Sequence, residues 1–457
     1  MGTLAAKIKR FLLFGGDLFF LYFSLWLTLY LRYGLAYKHI SLSFTNPHFL
    51  PFSIIFAAWL IIFYIIGLYD LNIARNNLNF YTTLLKAIAI DMAVGIAFFY
   101  FIPSFGITPK TVLFLDVTIF TLLFIAWRQI YNRLLVSGAL LNNVLIIGET
   151  KETKDLIRHI EENPQLGFRI KKIAQAKDIE LIFDLIEHIV QDKIQTIVTA
   201  IDPHKDVNLV RNLYHCLPLD ITLYDLPTFY EKITGKVPIS AIEEVWFLEN
   251  LMREKKSLYR STKKVLDIIY ATGLGIITLP LYPFIALAIK FDTPGPIFFK
   301  QKRVGENSQI FNVYKFRSMF ALAPDGSAEK NGAQWAQVDD PRVTHVGKFL
   351  RASRLDELPQ LFNVLRGDMS FVGPRPERPE FVFGTNLQRQ IPFYQIRHLI
   401  KPGLTGWAQV SFQYGASLED TIEKLQYDLF YIKNYSFILD LDIILRTIRI
   451  VLSGKGS

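Results

Sequence analysis

Asp356 and Glu357 are adjacent acids just before an apolar helical pattern. Three arginines surround them, at positions 351, 354 and 366. Neighbouring residues on a helix project about 100° apart, so the two carboxylates cannot face each other as a pair. They can instead divide the work of phosphoryl transfer. One carboxylate would attack phosphorus, and the other would hold a metal ion that neutralises the transferred group.

The same stretch also has a purely structural interpretation. Acidic residues are favoured in the first turn of a helix, and Pro359 suits that turn as well. The free N–H groups of a helix start equally favour a bound phosphate. The spacing of the residues alone therefore leaves both interpretations open.

Basic residues cluster upstream of the acids. Between Lys263 and Met319 the chain has eight Lys or Arg and three Asp or Glu residues. The densest part contains Lys300, Lys302, Arg303, Lys315 and Arg317. Guanidinium groups bind phosphate oxygens in pairs. A basic patch beside a membrane can also bind anionic headgroups, so a substrate phosphate and a lipid surface are both candidates.

The composition indicates a membrane protein. The chain has 457 residues, of which 51% are hydrophobic and 14% aromatic, and its net charge is +9. In such a protein an excess of Lys and Arg is typical of cytoplasmic loops. No stacking motif or recognition helix supports nucleic-acid binding, so we expect no nucleic-acid partner. The single cysteine, Cys216, excludes a disulfide within the chain.

Four apolar stretches, at about 11–31, 49–69, 84–103 and 112–131, each have the length that a bilayer helix needs. Basic residues favour placing both ends of this region in the cytoplasm. Asp17, Asp91 and Asp116 lie within the stretches. Acids inside a membrane are candidates for function, but helix ends and helix contacts explain these three better.

Alternating strand and helix patterns over about 142–251 predict a small α/β domain with a parallel sheet. A dinucleotide site would need a G-x-G-x-x-G turn after the first strand. Here Gly148 is followed by Glu149, Thr150, Lys151 and Glu152. The glycines are missing and two acids stand where phosphate would lie, so we expect a packing or assembly domain.

A fifth apolar segment, 265–290, contains Pro280 and Pro283 past its middle. Proline removes helix hydrogen bonds and kinks the chain. Both flanks are basic, and a spanning helix would put one of them on the wrong side of the membrane. We therefore expect a helical hairpin that enters the membrane, breaks at Pro280 and returns to the cytoplasmic face.

The stretch from about 261 to 453 resembles the catalytic domain of the bacterial sugar transferases, the monotopic polyprenyl-phosphate phosphoglycosyl transferases. The resemblance covers nearly the whole domain in order. Its motifs are "KKVLD", the proline-broken hairpin, "GPIFFKQKRVG", "YKFRSM", "RASRLDELPQLFNVLRGDMSFVGPRPE", "KPGLTGWAQV" and "YDLFYIKNYSFILDLDIILRTI". The N-terminal half resembles that of the large family members, which start exopolysaccharide or O-antigen synthesis.

The predicted fold class is a membrane α-helical N-terminal bundle, a Rossmann-like α/β middle domain and a mainly α monotopic catalytic domain with a re-entrant membrane hairpin. The corresponding domains are 1–137, 138–255 and 256–457, with the hairpin at about 265–290. The predicted location is the bacterial inner membrane, with the soluble domains in the cytoplasm. A homodimer is also expected.

The resemblance implies a two-step reaction. Sugar-1-phosphate passes from a UDP-hexose to an aspartate, releasing UMP, and then to undecaprenyl phosphate. This is the first membrane step of exopolysaccharide, O-antigen or capsule synthesis. The resemblance implies that Asp356 is the nucleophile and that Glu357 and Asp440 bind Mg²⁺. The substrate-binding residues that it implies are Arg351, Lys315, Arg317, Pro374, Arg375, Gly403, Thr405 and Asp428.

In the hairpin, the resemblance singles out Lys263, Asp267 and Pro280. Family members often have Ser-Pro at the break, whereas this chain has Leu279-Pro280. This departure puts the angle of the hairpin in doubt. We expect Thr278 to supply the missing hydroxyl group, because Ser and Thr can satisfy backbone groups freed by proline.

Two alternative functions are weaker. Membrane-anchored nucleotide-sugar dehydratases or epimerases also join membrane spans to an α/β domain, and they use a Tyr-x-x-x-Lys pair. Tyr259 and Lys263 have that spacing, but they stand at the start of the apolar hairpin and the glycine fingerprint is missing. A non-enzymatic scaffold for polysaccharide assembly is the other alternative, and it would require both acids to be dispensable.

Overall fold

The computed structural model describes most of the chain. The described residues are 4–34, 42–69, 78–102, 110–136, 141–175, 182–201, 206–219, 221–251, 257–322, 327–328, 340–384, 387–412 and 417–454. They form two compact units, Met1–Thr234 and Gly235–Ser457. The predicted domain limits stay predictions, because compactness does not show which segments fold independently.

The first unit begins with four long apolar helices. They are α1 (Leu4–Leu29), α2 (Leu42–Ile66), α3 (Leu78–Phe101) and α4 (Lys110–Val136). Four stretches of 20 to 23 residues, at 11–33, 47–66, 80–101 and 111–133, are apolar and long enough to cross a membrane. The first of them continues from α1 into the π-helical segment Tyr30–Gly34. The four predicted spans are therefore present as helices.

Buried polar pairs join the first and fourth of these helices. Arg128 on α4 donates to Asp17 on α1 at 2.7 Å, and both side chains are 0% exposed. The Arg128 guanidinium also donates to the Leu68 carbonyl at 3.2 Å. Further along, the Ser24 hydroxyl donates to Asp116 at 2.7 Å. Asp17 and Asp116 thus lie at helix contacts, as the sequence analysis favoured.

The rest of the first unit is an α/β region. Its strands are β1 (Asn142–Ile147), β2 (Phe168–Ala174), β3 (Thr196–Thr199) and β4 (Thr222–Asp225). Between and after them lie α5 (Lys151–Glu162), α6 (Ile182–Gln191), α7 (Val207–His215) and α8 (Leu226–Thr234). The strands pair in parallel in the order β2-β1-β3-β4, which confirms the predicted α/β class with a parallel sheet.

The strand order changes direction at β1, where open α/β sheets usually bind ligands. At this point Gly148 has a φ of +97°. A Cβ added to Gly148 would lie 3.2 Å from side-chain atoms of Ala200 and Ile201. The start of α5 is capped internally, since Thr150 accepts a hydrogen bond from the Thr153 amide at 3.2 Å.

The second unit begins with α9 (Glu244–Asn250), followed by a pair of helices, α10 (Ser257–Thr278) and α11 (Leu281–Asp292). The two helices are bent by 63° at the break after Thr278. The Thr278 hydroxyl donates to the Leu274 carbonyl at 2.8 Å. The Thr278 hydroxyl therefore does not replace the hydrogen bond that Pro280 removes. In a regular helix that bond would join the amide of residue 280 to the carbonyl of Ile276.

The remaining strands and helices follow the bent pair. The strands are β5 (Phe298–Val304), β6 (Ile310–Phe316), β7 (Ser370–Val372) and β8 (Gly403–Thr405). The helices are α12 (His345–Ala352), α13 (Gln360–Arg366), α14 (Leu387–Gln390), α15 (Trp407–Ser411), α16 (Leu418–Asn434) and α17 (Phe437–Leu452). The unit is mainly helical, as predicted.

Two small sheets position the site. Strands β5 and β6 form an antiparallel hairpin, and β7 and β8 form a short parallel pair. A core that includes Val313, Phe316, Leu350 and Leu361 packs with Ile289 of the bent helix pair. The apolar side chains of β6, α12 and α13 therefore fix the elements that carry Lys315 and the Asp356–Glu357 turn.

Candidate active site

The two adjacent acids lie in a short 3₁₀ turn, Leu355–Glu357, between α12 and α13. Arg354 precedes this turn with a left-handed φ of +54°, which ends the path of α12 and redirects the chain. The acids therefore lie just before α13 and not in its first turn, which the purely structural interpretation of the sequence would require. Both residues are buried, at 7% exposure each.

Glu357 is held in place by two cations. Lys315 Nζ donates to Glu357 Oε1 at 2.9 Å, and Arg375 Nη2 donates to the same oxygen at 2.8 Å. Burial alone would raise the pKa of Glu357. The charges of Arg375, Lys315 and Arg354 outweigh burial and hold its pKa well below the usual range. Glu357 is therefore ionised at neutral pH.

Asp356 is in a different state from its neighbour. Burial and the adjacent Glu357 raise the pKa of Asp356 to about 6, while Lys315, Arg351 and Arg375 oppose that shift. Within the described part of the chain, its carboxylate makes no hydrogen bond or ion pair. An ionised carboxylate without hydrogen bonds is free to act as a nucleophile, because no partner must first be displaced.

Positive charge exceeds negative charge around this turn. Two carboxylates interact with four cationic side chains, which are Lys315, Arg351, Arg354 and Arg375. The Nε atom of Arg354 is enclosed and has no hydrogen-bond partner among the described residues. A surplus of fixed positive charge favours a bound anion, and guanidinium groups suit phosphate oxygens.

The loop that carries Arg375 is braced from behind by the parallel strand pair. The Gly373 amide donates to the Thr405 carbonyl at 2.8 Å, and the Gly403 amide donates to the Pro374 carbonyl at 2.9 Å. A Cβ at Gly403 would lie 2.0 Å from the Gly373 nitrogen, so only glycine fits. Gly403 and Thr405 thus lie behind the loop and bond to its residues Pro374 and Gly373.

Arg317 has other partners. Its guanidinium donates to the carbonyls of Ile289 at 3.2 Å and Thr293 at 2.6 Å, and also to that of Pro294. These carbonyls lie at and just after the C-terminal end of α11, where a cation is favoured. The structure does not bring Arg317 to Glu357, and its predicted contact with substrate stays a prediction.

Asp428 is likewise engaged inside the protein. Its carboxylate lies 2.8 Å from Arg397 Nη2, and both side chains are almost completely buried. The Tyr394 hydroxyl accepts a hydrogen bond from Arg397 Nη1 at 2.7 Å. The sequence analysis did not single out Arg397. A buried arginine that meets an acid 31 positions later leaves no local signal in the sequence.

Asp440 is at the centre of a network at the base of α10. It accepts hydrogen bonds from Lys263 at 2.5 Å and from Tyr259 at 2.8 Å through one oxygen. Tyr431 donates to the other oxygen at 2.7 Å. Asp267, one turn after Lys263, accepts from the Phe371 amide at 3.0 Å and thereby joins α10 to β7. Tyr259 and Lys263, which have the Tyr-x-x-x-Lys spacing, thus both contact Asp440.

Magnesium binding can be tested against the donors present. In the described ranges, no group of three or more His, Cys, Asp or Glu side chains could hold a metal ion. Mg²⁺ commonly takes only one or two carboxylates from a protein, and substrate phosphates and water complete its shell. The Asp356–Glu357 turn supplies two hard oxygen ligands of that kind. Both oxygens of Asp440 accept hydrogen bonds from other side chains. The residues that donate to Asp440 are different from Lys315 and Arg375, which donate to Glu357.

Comparison with known sequences identifies the family. The profile described as "Bacterial sugar transferase" matches residues 258–454. The UDP-glucose:undecaprenyl-phosphate glucose-1-phosphate transferase of Xanthomonas campestris pv. campestris is 32% identical over 356 residues, which cover 72% of this chain and 70% of that protein. The chain belongs to the bacterial sugar transferase family.

Other relatives match this family member over shorter stretches. The UDP-N-acetylgalactosamine-undecaprenyl-phosphate N-acetylgalactosaminephosphotransferase of Aeromonas hydrophila is 43% identical over 54% of the chain and 56% of its own length. The undecaprenyl-phosphate glucose phosphotransferase of Komagataeibacter xylinus is 42% identical over 41% of the chain and 35% of its own length. The chain thus spans about half or less of the length of these two relatives. The sugars in the names of these relatives also differ, so the match does not identify the sugar used by this chain.

Proposed function

We propose that this chain transfers a sugar-1-phosphate from a UDP-hexose to undecaprenyl phosphate and so starts the synthesis of a bacterial polysaccharide. One observation carries the proposal. Asp356 lies, without a hydrogen bond to the described residues, beside a Glu357 that Lys315 and Arg375 lock in the ionised form. The names of the relatives support the same donor and acceptor classes.

In the first step, an oxygen of ionised Asp356 attacks the phosphorus that carries the sugar. A phosphorus–oxygen bond of the diphosphate breaks, the sugar phosphate becomes bound to Asp356, and UMP leaves with the bonding electron pair. In the second step, a phosphate oxygen of the lipid attacks the same phosphorus and Asp356 leaves. The polyprenyl diphosphate sugar is formed and the carboxylate is regenerated.

The cations of the site lower the barrier of both steps. Negative charge is spread over the phosphate oxygens in the transition state, so fixed positive groups stabilise it more than they stabilise the ground state. A sugar nucleotide brings about two negative charges, which suits the surplus of cations over acids around the turn. Arg351 has no ion pair among the described residues and lies close enough to lower the pKa of Asp356, so we assign it to the transferred phosphate.

Magnesium is part of this proposal through Glu357, with Asp356 as its neighbour. When bound there, the ion would supply a further positive charge against the diphosphate. Asp440 is left out of this role because its two oxygens accept hydrogen bonds from Lys263, Tyr259 and Tyr431.

We also propose that α10 and α11 form a re-entrant hairpin that holds the site at the cytoplasmic face of the inner membrane. The 63° bend supports this proposal. The tip is apolar and exposed, with Ile276, Ile277 and Phe284 at 68%, 74% and 72%. A lipid acceptor with its phosphate at the bilayer surface would then reach the site without leaving the membrane. Dimer formation stays a prediction.

The direct test is UMP release by membranes that contain this chain, undecaprenyl phosphate and Mg²⁺, with a panel of UDP-sugars. We expect release from one sugar, and we expect trapping of ³²P on the protein when the labelled donor is given without the lipid. The label should be absent in Asp356→Asn. UMP release that persists in that variant would refute the assigned nucleophile. No release from any donor, with the lipid confirmed to be present, would refute the reaction.

A further inference from the structure

The loop Gly373–Pro376 is held by hydrogen bonds to its backbone carbonyls, and so is residue 377 beside it. Four consecutive carbonyls, of residues 374 to 377, each accept a hydrogen bond, and the four donors come from three segments of the chain. The donors, in order, are the Gly403 amide at 2.9 Å, Arg397 Nη2 at 3.1 Å, Arg303 Nη1 at 3.2 Å and the Val304 amide at 2.9 Å. Two of these donors are backbone amides, and two are arginine side chains.

Arg397 is the more enclosed of the two arginines. Its residue is 5% exposed, and it contacts Asp428, the Tyr394 hydroxyl and, at 4.0 Å, Glu377. Burial alone would lower its pKa, but Tyr394, Asp428 and Glu377 raise it above the usual value. The guanidinium is therefore permanently charged although it is almost completely buried. A buried cation is costly unless its partners are fixed, and the Asp428 carboxylate and the Tyr394 hydroxyl are the partners that Arg397 has here.

Arg303 donates to the next carbonyl, that of Pro376. It lies near the end of β5, where its other nitrogen, Nη2, donates to Gln301 at 2.6 Å. The antiparallel hairpin with β6 fixes the backbone of β5, since Arg303 pairs with Phe311. Lys315 lies on β6 of the same hairpin and contacts Glu357. One rigid element thus carries both a cation of the site and a support of the loop.

With its carbonyls engaged, the loop leaves the Arg375 side chain directed to the site. That side chain is 40% exposed and donates to Glu357 at 2.8 Å. Rotation of the Arg375 peptide would break the bond from Arg397. Rotation of the next peptide would break the bond from Arg303. The position of the Arg375 guanidinium therefore depends on Arg303 and Arg397. Among the described residues, neither of these arginines forms a hydrogen bond or ion pair with Asp356 or Glu357.

We propose that Arg303 and Arg397 are positioning residues that fix the backbone of residues 374–377, so that Arg375 meets Glu357 and the phosphate of the donor. Asp428 would act indirectly, by fixing Arg397. This role replaces the substrate contact that the sequence analysis expected for Asp428. This inference rests on the proposed function for its kinetic part. Its structural part, the immobilised loop, is independent of the reaction.

A double-mutant cycle with Arg375 tests the dependence. The full-length protein in detergent is prepared as wild type, Arg397→Lys, Arg303→Lys and Arg375→Ala, together with the two combinations with Arg375→Ala. Binding of UMP is measured by calorimetry, and the Michaelis constant and turnover number are measured for the active donor. Lysine keeps the charge but loses the planar fork.

We expect each lysine variant to weaken UMP binding and to lower kcat/KM by about tenfold to 100-fold, because small displacements of a phosphate ligand are costly. In the Arg375→Ala background, the same substitutions should weaken UMP binding by less than about twofold. If the loss is the same in both backgrounds, Arg303 and Arg397 do not act through Arg375 and the proposal is wrong.

Hydrogen exchange provides the readout that does not need activity. We expect faster amide exchange in peptides that cover 371–377 and 403–406, with unchanged exchange in α11, which does not carry the partner of Arg397. A general rise over the whole second unit would indicate mere destabilisation and would overturn the proposal. If the wild type binds no UMP and releases none, the proposed function fails, and the exchange data alone still decide whether the two arginines hold the loop.

A matched control comes from Arg342, another arginine of the same unit, which pairs with Asp340 at 2.5 Å. Arg342→Lys should leave exchange at 371–377 unchanged. If Arg397→Lys fails to fold because its buried ion pair is disturbed, the Arg303→Lys cycle decides, since Arg303 has no such partner recorded among the described acids.

Discussion

Buried charge is treated in opposite ways in the helical bundle and in the candidate site. In the bundle, Arg128 and Asp17 are completely enclosed and form a pair of equal and opposite charge. In the site, the charges do not cancel, since four cations interact with Asp356 and Glu357. The Arg128 guanidinium also lies over the ring of Phe124, at 4.5 Å, and is thus surrounded on several sides.

The difference separates structural from functional use of charge. A matched buried pair needs nothing more from outside, and its removal as a pair is often neutral. An unmatched cluster is costly until an anion completes it. The bundle therefore uses charge to join α1 and α4, whereas the site is built to receive a negatively charged ligand.

The largest effect that would test this contrast is expected at the nucleophile. Asp356→Asn should lower UMP release by about 10⁴-fold or more, because an amide cannot attack phosphorus. It should also make the fold more stable at neutral pH, because it removes a carboxylate that burial disfavours. UMP release and thermal unfolding in detergent measure the two effects.

Asp442→Asn is the control for that substitution. Asp442 pairs with Arg446 one turn later on α17, at 2.7 Å. We expect activity within about twofold of wild type, because asparagine has the shape of aspartate and its amide oxygen can still accept the hydrogen bond from Arg446. Equal losses in the two variants would show that general damage and not the loss of a nucleophile explains the result.

The second effect concerns the metal. Glu357→Gln should lower activity by about 10² to 10³-fold and raise the Mg²⁺ concentration needed for half-maximal activity, because one ligand charge is lost. Asp440→Asn should also lower activity, but without shifting that concentration. A Mg²⁺ titration of both variants decides the point. A shift for Asp440→Asn alone would restore the sequence-based assignment of Asp440 to the metal.

The third effect lies in the bundle. Arg128→Leu should destabilise the protein by about 3–5 kcal/mol, because Asp17 is left as an unpaired buried charge. Adding Asp17→Asn should recover most of that loss. Unfolding in detergent measures both variants. If the double variant were no more stable than the single variant, the bundle pair would not be the self-contained unit that the comparison requires.

The smallest effect is the pH dependence. Since the pKa of Asp356 is raised to about 6, kcat/KM should fall by about tenfold per pH unit below that value. The stability of the fold should depend on pH in the opposite direction from activity. Between the usual pKa of an aspartate and 6, the folded protein holds a proton that the unfolded chain has lost, so stability falls as pH rises through 6. Asp356→Asn should remove this contribution, and unfolding measured at pH 5 and pH 7 shows whether it does.

The general architecture was accessible from the sequence because it depends on local patterns. Length and hydropathy define the four helices, and alternating strand and helix patterns define the parallel sheet. The acid pair and its arginines are close together in the chain, so their motif is visible. The shape of the turn was not predicted. The left-handed conformation of Arg354 places the pair before α13, and no rule of composition predicts that conformation for an arginine.

The rest of the site could not be predicted because it depends on contacts between distant residues. Arg397 and Asp428 meet only after folding, and Arg317 is drawn to the end of α11 although its motif suggests a phosphate. Asp440 is paired with Lys263, which lies 177 positions earlier. Side-chain partners of this kind are settled by tertiary packing and leave no periodic signal.

The conformation of Arg354 has a consequence for protein engineering. A left-handed φ is adopted by glycine at little cost, whereas an arginine in it gives up on the order of 1–2 kcal/mol. A design method that ranks residues by backbone fit would therefore choose glycine at position 354. That choice would remove a cation that acts on Glu357. Thermostability and affinity for a phosphorylated ligand cannot both be improved at this position.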